Sequence, residues 1–183
     1  MVSHCLGKAA YQEKQILHAL LENFGGAQTI LDVGCGTGYF TDWFRGLGYP
    51  LAGLDKSLKM LHQGQMVYDL DCCLGDATRL PFSSDSFDIV SLITVLEFLA
   101  DPIAALREGV RVTRHGFILG VINRYSLLGI HYRHEGGPIW GSANLLTPSK
   151  LIQLLFETMD RPGKISYKTT LWVLFSEFIQ LTW

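Results

Sequence analysis

Charge is sparse in this chain, and long apolar runs are missing. Charged residues make up 17% of the 183 positions and the net charge is -2. No basic field is available to draw in nucleic acid, so a polynucleotide partner is not expected. The most apolar stretch, Ile89 to Ala100, is interrupted by Ser91, Thr94 and Glu97. It falls well short of the roughly 20 residues that a membrane span needs. Lys8, Glu13 and Lys14 stand where a secretory signal would need an apolar core, so a cytoplasmic location is expected. The four cysteines, Cys5, Cys35, Cys72 and Cys73, contain no Cys-x-x-Cys spacing. Adjacent Cys72 and Cys73 neither chelate zinc easily nor bridge comfortably. Buried free thiols and no metal are the expectation. Internal repeats and low-complexity tracts are also missing.

What is present reads as one globular domain over residues 1–183, since 48% of the chain is hydrophobic. Tyr11, Leu17, Leu20, Leu21 and Phe24 recur at helical spacing, predicting an amphipathic helix over 8–24 that ends at Gly25-Gly26. Short apolar segments at 28–33, 50–55, 70–74, 87–94 and 117–122 read as strands, with helical stretches between them. Ser57 is a predicted N-cap, and Asp101-Pro102 pairs an N-cap with a proline at the first helical position. Thr147-Pro148 opens another helix through Phe156, and Ile165 to Leu171 is a late strand. Residues 124–146 lack a clear period and read as a long excursion rather than a packed element. Alternating strand and helix imply an α/β fold: a doubly wound, mostly parallel Rossmann-like sheet with helices on both faces. Ser176 to Gln180 makes a poor strand and the segment from Trp172 to Trp183 is ambiguous, so the seventh strand is left open: the sheet either lacks a full one or is a shortened form.

Ligands of such sheets lie outside the carboxyl ends of the strands, where strand order reverses. Four features fall on that rim: the turn Gly34-Cys35-Gly36-Thr37-Gly38, then Asp55, Asp76 and Thr94. Glycines permit positive φ and close approach to bare backbone, and the following helix presents unpaired N–H groups to an anion. A dinucleotide site would need Gly-x-Gly-x-x-Gly, but position 39 is tyrosine. Asp32 precedes the turn and would repel a phosphate while attracting an ammonium group. A carboxylate at Asp55 can accept both ribose hydroxyls, and one at Asp76 can accept from an exocyclic amine. Amino acid, ribose and adenine together describe S-adenosylmethionine.

At this point a family resemblance is plain. Leu31-Asp32-Val33-Gly34-Cys35-Gly36-Thr37-Gly38, Gly53-Leu54-Asp55-Lys56-Ser57, Gly75-Asp76-Ala77-Thr78-Arg79-Leu80-Pro81-Phe82, Ser86-Phe87-Asp88-Ile89-Val90 and Thr94-Val95-Leu96-Glu97-Phe98-Leu99-Ala100-Asp101-Pro102 follow in order. Over residues 28–123 the chain resembles a class I S-adenosylmethionine-dependent methyltransferase of the ubiquinone/menaquinone-biosynthesis type, the type 11 branch. The resemblance implies that Asp32 and the backbone of Gly34, Gly36 and Gly38 hold the methionine end. Asp32 read as a residue that only orders the turn is the alternative. Asp55 would hold the ribose, Asp76 with Ala77 the adenine, and Thr94 would lie by the methionine moiety. Met60 would pack on the adenine or ribose edge, unless it is helix core. Cys35, Thr37, Tyr39, Phe40, Lys56, Ser57 and Gly75 complete the expected cofactor set, with S-adenosylhomocysteine as product.

Where many relatives carry a His or an aromatic pair, this chain has Leu96-Glu97-Phe98. Methyl transfer from a sulfonium is an in-line displacement that needs alignment and exclusion of water more than a base. No Pro-Cys follows strand 4 and no Asn-Pro-Pro-Tyr-like motif occurs, so a small-molecule acceptor is expected over nucleic acid. The excursion 124–146 and the N-terminal helix, within 1–25, are the natural lids. Tyr125, His131, Tyr132, His134 and Trp140 are pocket-wall candidates, and Tyr11 can close from the N-terminal helix. His131, His134, Tyr125 and Glu97 are the candidate catalytic groups, each with a structural reading beside it. A non-catalytic S-adenosylmethionine-binding regulatory or accessory module is the alternative. The acceptor, the attacking atom and the oligomeric state do not follow from these residues.

Overall fold

The computed structural model describes residues 2–50, 52–159, 163–169 and 176–182. Leu51, Leu171, the 172–175 stretch and Trp183 lie outside the described residues, so the sequence readings that touch them stop at those limits. Helix α1 (Val2–Leu21) precedes strand β1 (Ile30–Val33). Next come α2 (Tyr39–Gly46), β2 (Gly53–Asp55), α3 (Leu58–Tyr68) and β3 (Cys73–Leu74). β4 (Phe87–Ile93) runs through a 3-10 turn (Leu96–Phe98) to α4 (Pro102–Val112) and β5 (Thr113–Ile122). Then follow α5 (Leu127–Glu135), α6 (Gly137–Trp140), α7 (Pro148–Thr158), β6 (Lys164–Thr169) and β7 (Ser176–Thr182).

The described strands form one sheet in the order β3-β2-β1-β4-β5-β7-β6. β1 to β5 are parallel, and β7 is antiparallel to both β5 and β6. Alternation along β1 sends its side chains to two apolar layers. Leu31 and Val33 join Leu92, Leu106, Phe117, Leu151 and Leu154, beneath α4 and α7. Ile30 faces the other way, with Leu17 and Leu20 of α1, Phe44 of α2, Ile89 and Ile118. Helices therefore cover both faces, as the pattern predicts. The predicted caps are present: the side chains of Ser57, Asp101 and Thr147 each accept a backbone N–H at the start of α3, α4 and α7. Among the described residues no helix is long and apolar enough to cross a membrane.

Three expectations are resolved or corrected. First, a full seventh strand exists: β7 pairs with β5 from Gly116↔Thr182 to Ile122↔Ser176 and with β6 along its whole length. What hid it is Gln180, a polar residue 1% exposed in the middle of the sheet. Its Oε1 accepts from Asn23 Nδ2 at 2.9 Å, which offsets part of the cost of burying the amide, while its Nε2 has no hydrogen-bond partner among the described residues. Second, residues 124–146 contain α5 and α6, not an unstructured excursion. Ser126 caps α5 by accepting from Gly129 N, and Gly136, with φ 61, ends it. Most of α5 is solvent-facing, so the chain there carries no apolar period. Third, the thiols are not uniformly buried: Cys35 and Cys72 are partly exposed and Cys73 is exposed on the edge strand.

Candidate active site

β1 and β4 are neighbours in the sheet but not in the chain, and strand order reverses between them. The glycine turn leaves β1 at that reversal. Gly34 (φ 72) and Gly36 (φ 57) both take left-handed backbone. At Gly34 a Cβ would lie 2.5 Å from Val95 Cγ2, so the protein itself forbids a side chain there. At Gly36 a Cβ would meet nothing within 4 Å. The bare backbone at Gly36 therefore faces open space. Gly34 N and Cys35 N both donate to Leu54 O, at 2.7 and 3.0 Å, and Gly38 N donates to Cys35 O at 2.8 Å. Gly38 has no side chain to cap α2, which leaves first-turn N–H groups for an anion.

Asp55, at the end of β2, locks this turn. Its Oδ2 accepts from Gly36 N at 2.9 Å and its Oδ1 from Ser57 N at 2.7 Å. Each carboxylate oxygen keeps a further lone pair for an incoming hydroxyl. Asp76 follows β3 in a tight turn, its Oδ1 accepting from the N–H and hydroxyl of Thr78, both at 2.8 Å. Those bonds, with help from the nearby Lys56 ammonium, hold its pKa below the usual carboxylate value.

Asp32 is enclosed rather than open to this rim. It is 3% exposed, with Ser91 Oγ and Thr41 Oγ1 each donating to it at 2.6 Å. Burial raises its pKa to about 6 against the pull of those hydroxyls, and the Asp55 charge adds to the rise. Asp32 ties β1 to β4 and α2 directly beneath the turn.

The far wall comes from the chain after β4. Thr94 is β-branched at φ 57, a conformation that costs about 1–3 kcal/mol and turns the chain sharply at the strand end. Its N–H donates to Gly120 O at 2.7 Å. Val95, Phe98 and Leu99 then face Gly34, Leu54, Asp55, Lys56, Gly75, Asp76 and Ala77 across a cleft of about 120 Å³. Glu97 lies in the same turn but points inward and is 1% exposed. Its Oε1 accepts from Ile122 N at 2.7 Å, its carbonyl accepts from Asn144 N at 2.7 Å, and Oε2 is without a hydrogen-bond partner. Burial lifts its pKa from 4.5 to about 7, against the backbone bonds. The folded state thus holds this proton more tightly than the unfolded chain. Its contribution to stability is complete below about pH 4.5 and is lost as pH rises through about 7. Glu97→Gln keeps an acceptor for Ile122 N–H and cannot ionise. Urea unfolding of this variant should therefore lose about 3 kcal/mol less than the parent between acidic and mildly alkaline pH. Parallel losses in the two proteins would contradict the burial argument.

The fold thus gathers Gly34, Asp55, Lys56, Gly75, Asp76, Ala77 and Thr94 of the predicted set around one cleft. Gly36 adjoins it through Asp55, and Ser57 through the same carboxylate. Cys35, Thr37 and Gly38 build the turn without lining the cleft, and Met60 is 38% exposed on α3. Tyr39 and Phe40 pack edge to face, and Lys14 of α1 sits 4.1 Å above the Tyr39 ring. Sequence reasoning missed Leu54, Val95, Phe98 and Leu99 as cleft walls. Their apolar type signalled only burial.

Of the catalytic candidates, His131 is exposed and pairs with Glu135 at 3.4 Å, His134 is exposed, and Tyr125 is 72% exposed. None of the three lines the cleft. Tyr132 and Trp140 behave differently. Their rings stack at 3.8 Å and 5°, and Trp140 lies 5.3 Å from Phe98. Burial raises the Tyr132 pKa, and the carboxylates of Glu13 and Glu135 add to it, placing Glu13 of α1 near α5. Tyr11 is 66% exposed.

Comparison with known proteins agrees with this arrangement. A family model described as a methyltransferase domain matches residues 31–120. The malonyl-[acyl-carrier protein] O-methyltransferase of Erwinia billingiae is 33% identical over 159 residues, covering 80% of this chain and 61% of that one. The demethylmenaquinone methyltransferase of Renibacterium salmoninarum is 41% identical over 90 residues, covering 49% and 38%. The chain therefore spans less than two thirds of the length of these curated relatives. Magnesium protoporphyrin IX methyltransferase from Synechocystis PCC 6803, solved with bound S-adenosylhomocysteine, shares the fold. Its TM-score is 0.69 at 16% identity, over 92% of this chain and 80% of that one. With the ordered motifs, the sheet topology and these matches in agreement, residues 31–120 match the methyltransferase domain that this family model describes, on the fold that S-adenosylmethionine-dependent methyltransferases share.

Proposed function

We propose that this chain transfers a methyl group from S-adenosylmethionine to a small molecule with a flat apolar ring, by in-line displacement. The residues present fit the donor. The Gly36 backbone faces a space that a Cβ would fill, and the Asp55 carboxylate stands beside it with lone pairs to spare. Asp76 and Ala77 stand at the end of the cleft formed by the turn after β3. When bound, S-adenosylmethionine would supply an electrophilic sulfonium methyl. The chain's part is to bind, align and exclude water. Asp55 would hold the ribose hydroxyls, Asp76 and Ala77 the adenine, and the N–H groups of the glycine turn the carboxylate of the amino-acid end. Asp32 would act from below, keeping the turn in register through Ser91 and Thr41, rather than by touching the ligand. Thr94 and Phe98 would border the reacting end.

The observation that carries the acceptor class is the ring series Phe98, Trp140, Tyr132. It runs without a break from the cleft wall into α6 and α5. Flat apolar rings stack on such a surface. α1 and the α5–α6 segment would cover the site from two sides, held close by Lys14 on Tyr39 and by the approach of Glu13 to Tyr132.

The test is turnover of methyl-labelled S-adenosylmethionine against phenols, quinols and carboxylic acids. Label should move to the ring compounds. Trp140→Ala should raise the acceptor KM about 3–10-fold while leaving the KM for S-adenosylmethionine unchanged. Transfer only to carboxylic acids would overturn the acceptor class. Tight donor binding with no transfer to any compound would instead favour a non-catalytic module.

A further inference from the structure

Two sulfurs packed beside the glycine turn, outside the cleft itself, remain without a role. Cys35 is the second residue of the glycine turn and Cys72 immediately precedes β3. They lie far apart in sequence and on opposite sides of β2, yet both lean over the same residue of it. The position that a Cβ would take on Gly53 is 2.6 Å from Cys72 Sγ and 3.2 Å from Cys35 Sγ. The two sulfurs are therefore close neighbours. Glycine at 53 is what makes room, because any side chain there would drive the sulfurs apart. Both cysteines are partly exposed, so a small oxidant reaches them.

We propose that Cys35 and Cys72 form a peroxide-sensitive thiol pair whose disulfide disables the donor site. This rests on the donor reading given above. The chemistry favours a defined order of attack. The neighbouring Cys35 holds the Cys72 thiol below its usual pKa, while Cys72 and burial together push the Cys35 thiol up. Cys72 thiolate attacks a peroxide oxygen. The O–O bond breaks, a sulfenic acid forms, and the departing hydroxide takes up a proton as water. Cys35 sulfur then attacks the Cys72 sulfur as the S–O bond breaks. The Cys35 proton leaves with that hydroxyl as a second water, so the peroxide is reduced by two electrons and two thiols become one disulfide.

The consequence follows from where Cys35 sits. A disulfide brings the sulfurs to about 2.05 Å, much closer than two free thiols in contact. Closing that gap pulls Cys35 toward β3. Its backbone is part of the turn: Cys35 N is held by Leu54 O and Cys35 O holds Gly38 N. The adjoining Gly36 N is held by Asp55. Displacing Cys35 therefore moves the backbone that cradles the ligand.

The experiment uses the reduced chain treated with a small excess of hydrogen peroxide, then peptide mapping by mass spectrometry and titration with S-adenosylhomocysteine. The expected result is a Cys35–Cys72 cross-linked peptide pair and at least tenfold weaker ligand binding, both reversed by dithiothreitol. Cys72→Ser should bind like the parent when reduced and keep its affinity after peroxide. Cys73→Ser should respond as the parent does. Cross-links through Cys5 or Cys73 in place of this pair, or a Cys35–Cys72 disulfide with unchanged affinity, would overturn the proposal. Reduced protein that binds no S-adenosylhomocysteine would sink the donor reading instead, while the cross-link is still read by mass.

Discussion

Asp55→Ala should weaken S-adenosylhomocysteine binding by at least about 100-fold while the chain stays folded. Two hydroxyls accepted by a charged group contribute about 1.5–3 kcal/mol each, and both are lost together. The same carboxylate also holds Gly36 N and Ser57 N, so the turn loses its lock as well as the ligand its anchor. Both N–H groups border a cleft open to solvent, so water can replace the carboxylate as acceptor in the free protein. Thermal unfolding separates the two effects. The melting temperature without ligand should fall by only a few degrees, whereas the upward shift that saturating ligand gives the parent should vanish. A variant that melts like the parent and still shifts fully with ligand would remove Asp55 from the site.

Gly36→Asn tests the cradle from the opposite direction, by filling it. Asparagine tolerates left-handed backbone better than other side chains, and nothing in the protein lies within 4 Å of the new Cβ. The fold should therefore lose about 1 kcal/mol, a drop of about 2–4 °C in melting temperature. Ligand binding should fall below detection, because the added side chain occupies the space facing the Gly36 backbone. The comparison that gives this result its force is Gly34→Ala. There the Cβ meets Val95 Cγ2 at 2.5 Å, so destabilisation of the whole chain is expected rather than selective loss of binding. Equal destabilisation by both substitutions would mean that the space at Gly36 is not a ligand site.

The strand ends were readable from sequence because each is an apolar run that stops at a turn residue or carboxylate, and parallel sheets align such ends on one rim. Asp55, Asp76 and Thr94 are cases of that kind. The caps at Ser57, Asp101 and Thr147 were readable because capping is local. What escaped depends on partners distant in the chain. Asp32 before a glycine turn has the same sequence whether it faces a ligand or the core; Ser91, on the neighbouring strand, decides it. β7 looked polar because Gln180 needs Asn23 of the distant N-terminal segment to be tolerated inside the sheet. α5 had no apolar period because little of it is buried. Glu97 gave no sign that it would be enclosed, since its burial comes from β5 and the 141–146 strap. The pairing of Cys35 with Cys72 required β2 to place Gly53 between them.

The central claim is that the rim of β1, β2, β3 and β4 holds one ligand in one orientation. A crystal structure of the chain with S-adenosylhomocysteine tests it most directly. The account predicts ribose hydroxyls on Asp55, adenine between Asp76 and the Ala77 segment, the amino-acid end on the Gly34–Gly38 backbone and the sulfur directed toward Thr94 and Phe98. Asp32 should still be bonded to Ser91 and Thr41 in that complex. Ligand bound elsewhere, or bound with its adenine at the Thr94 end, would contradict it.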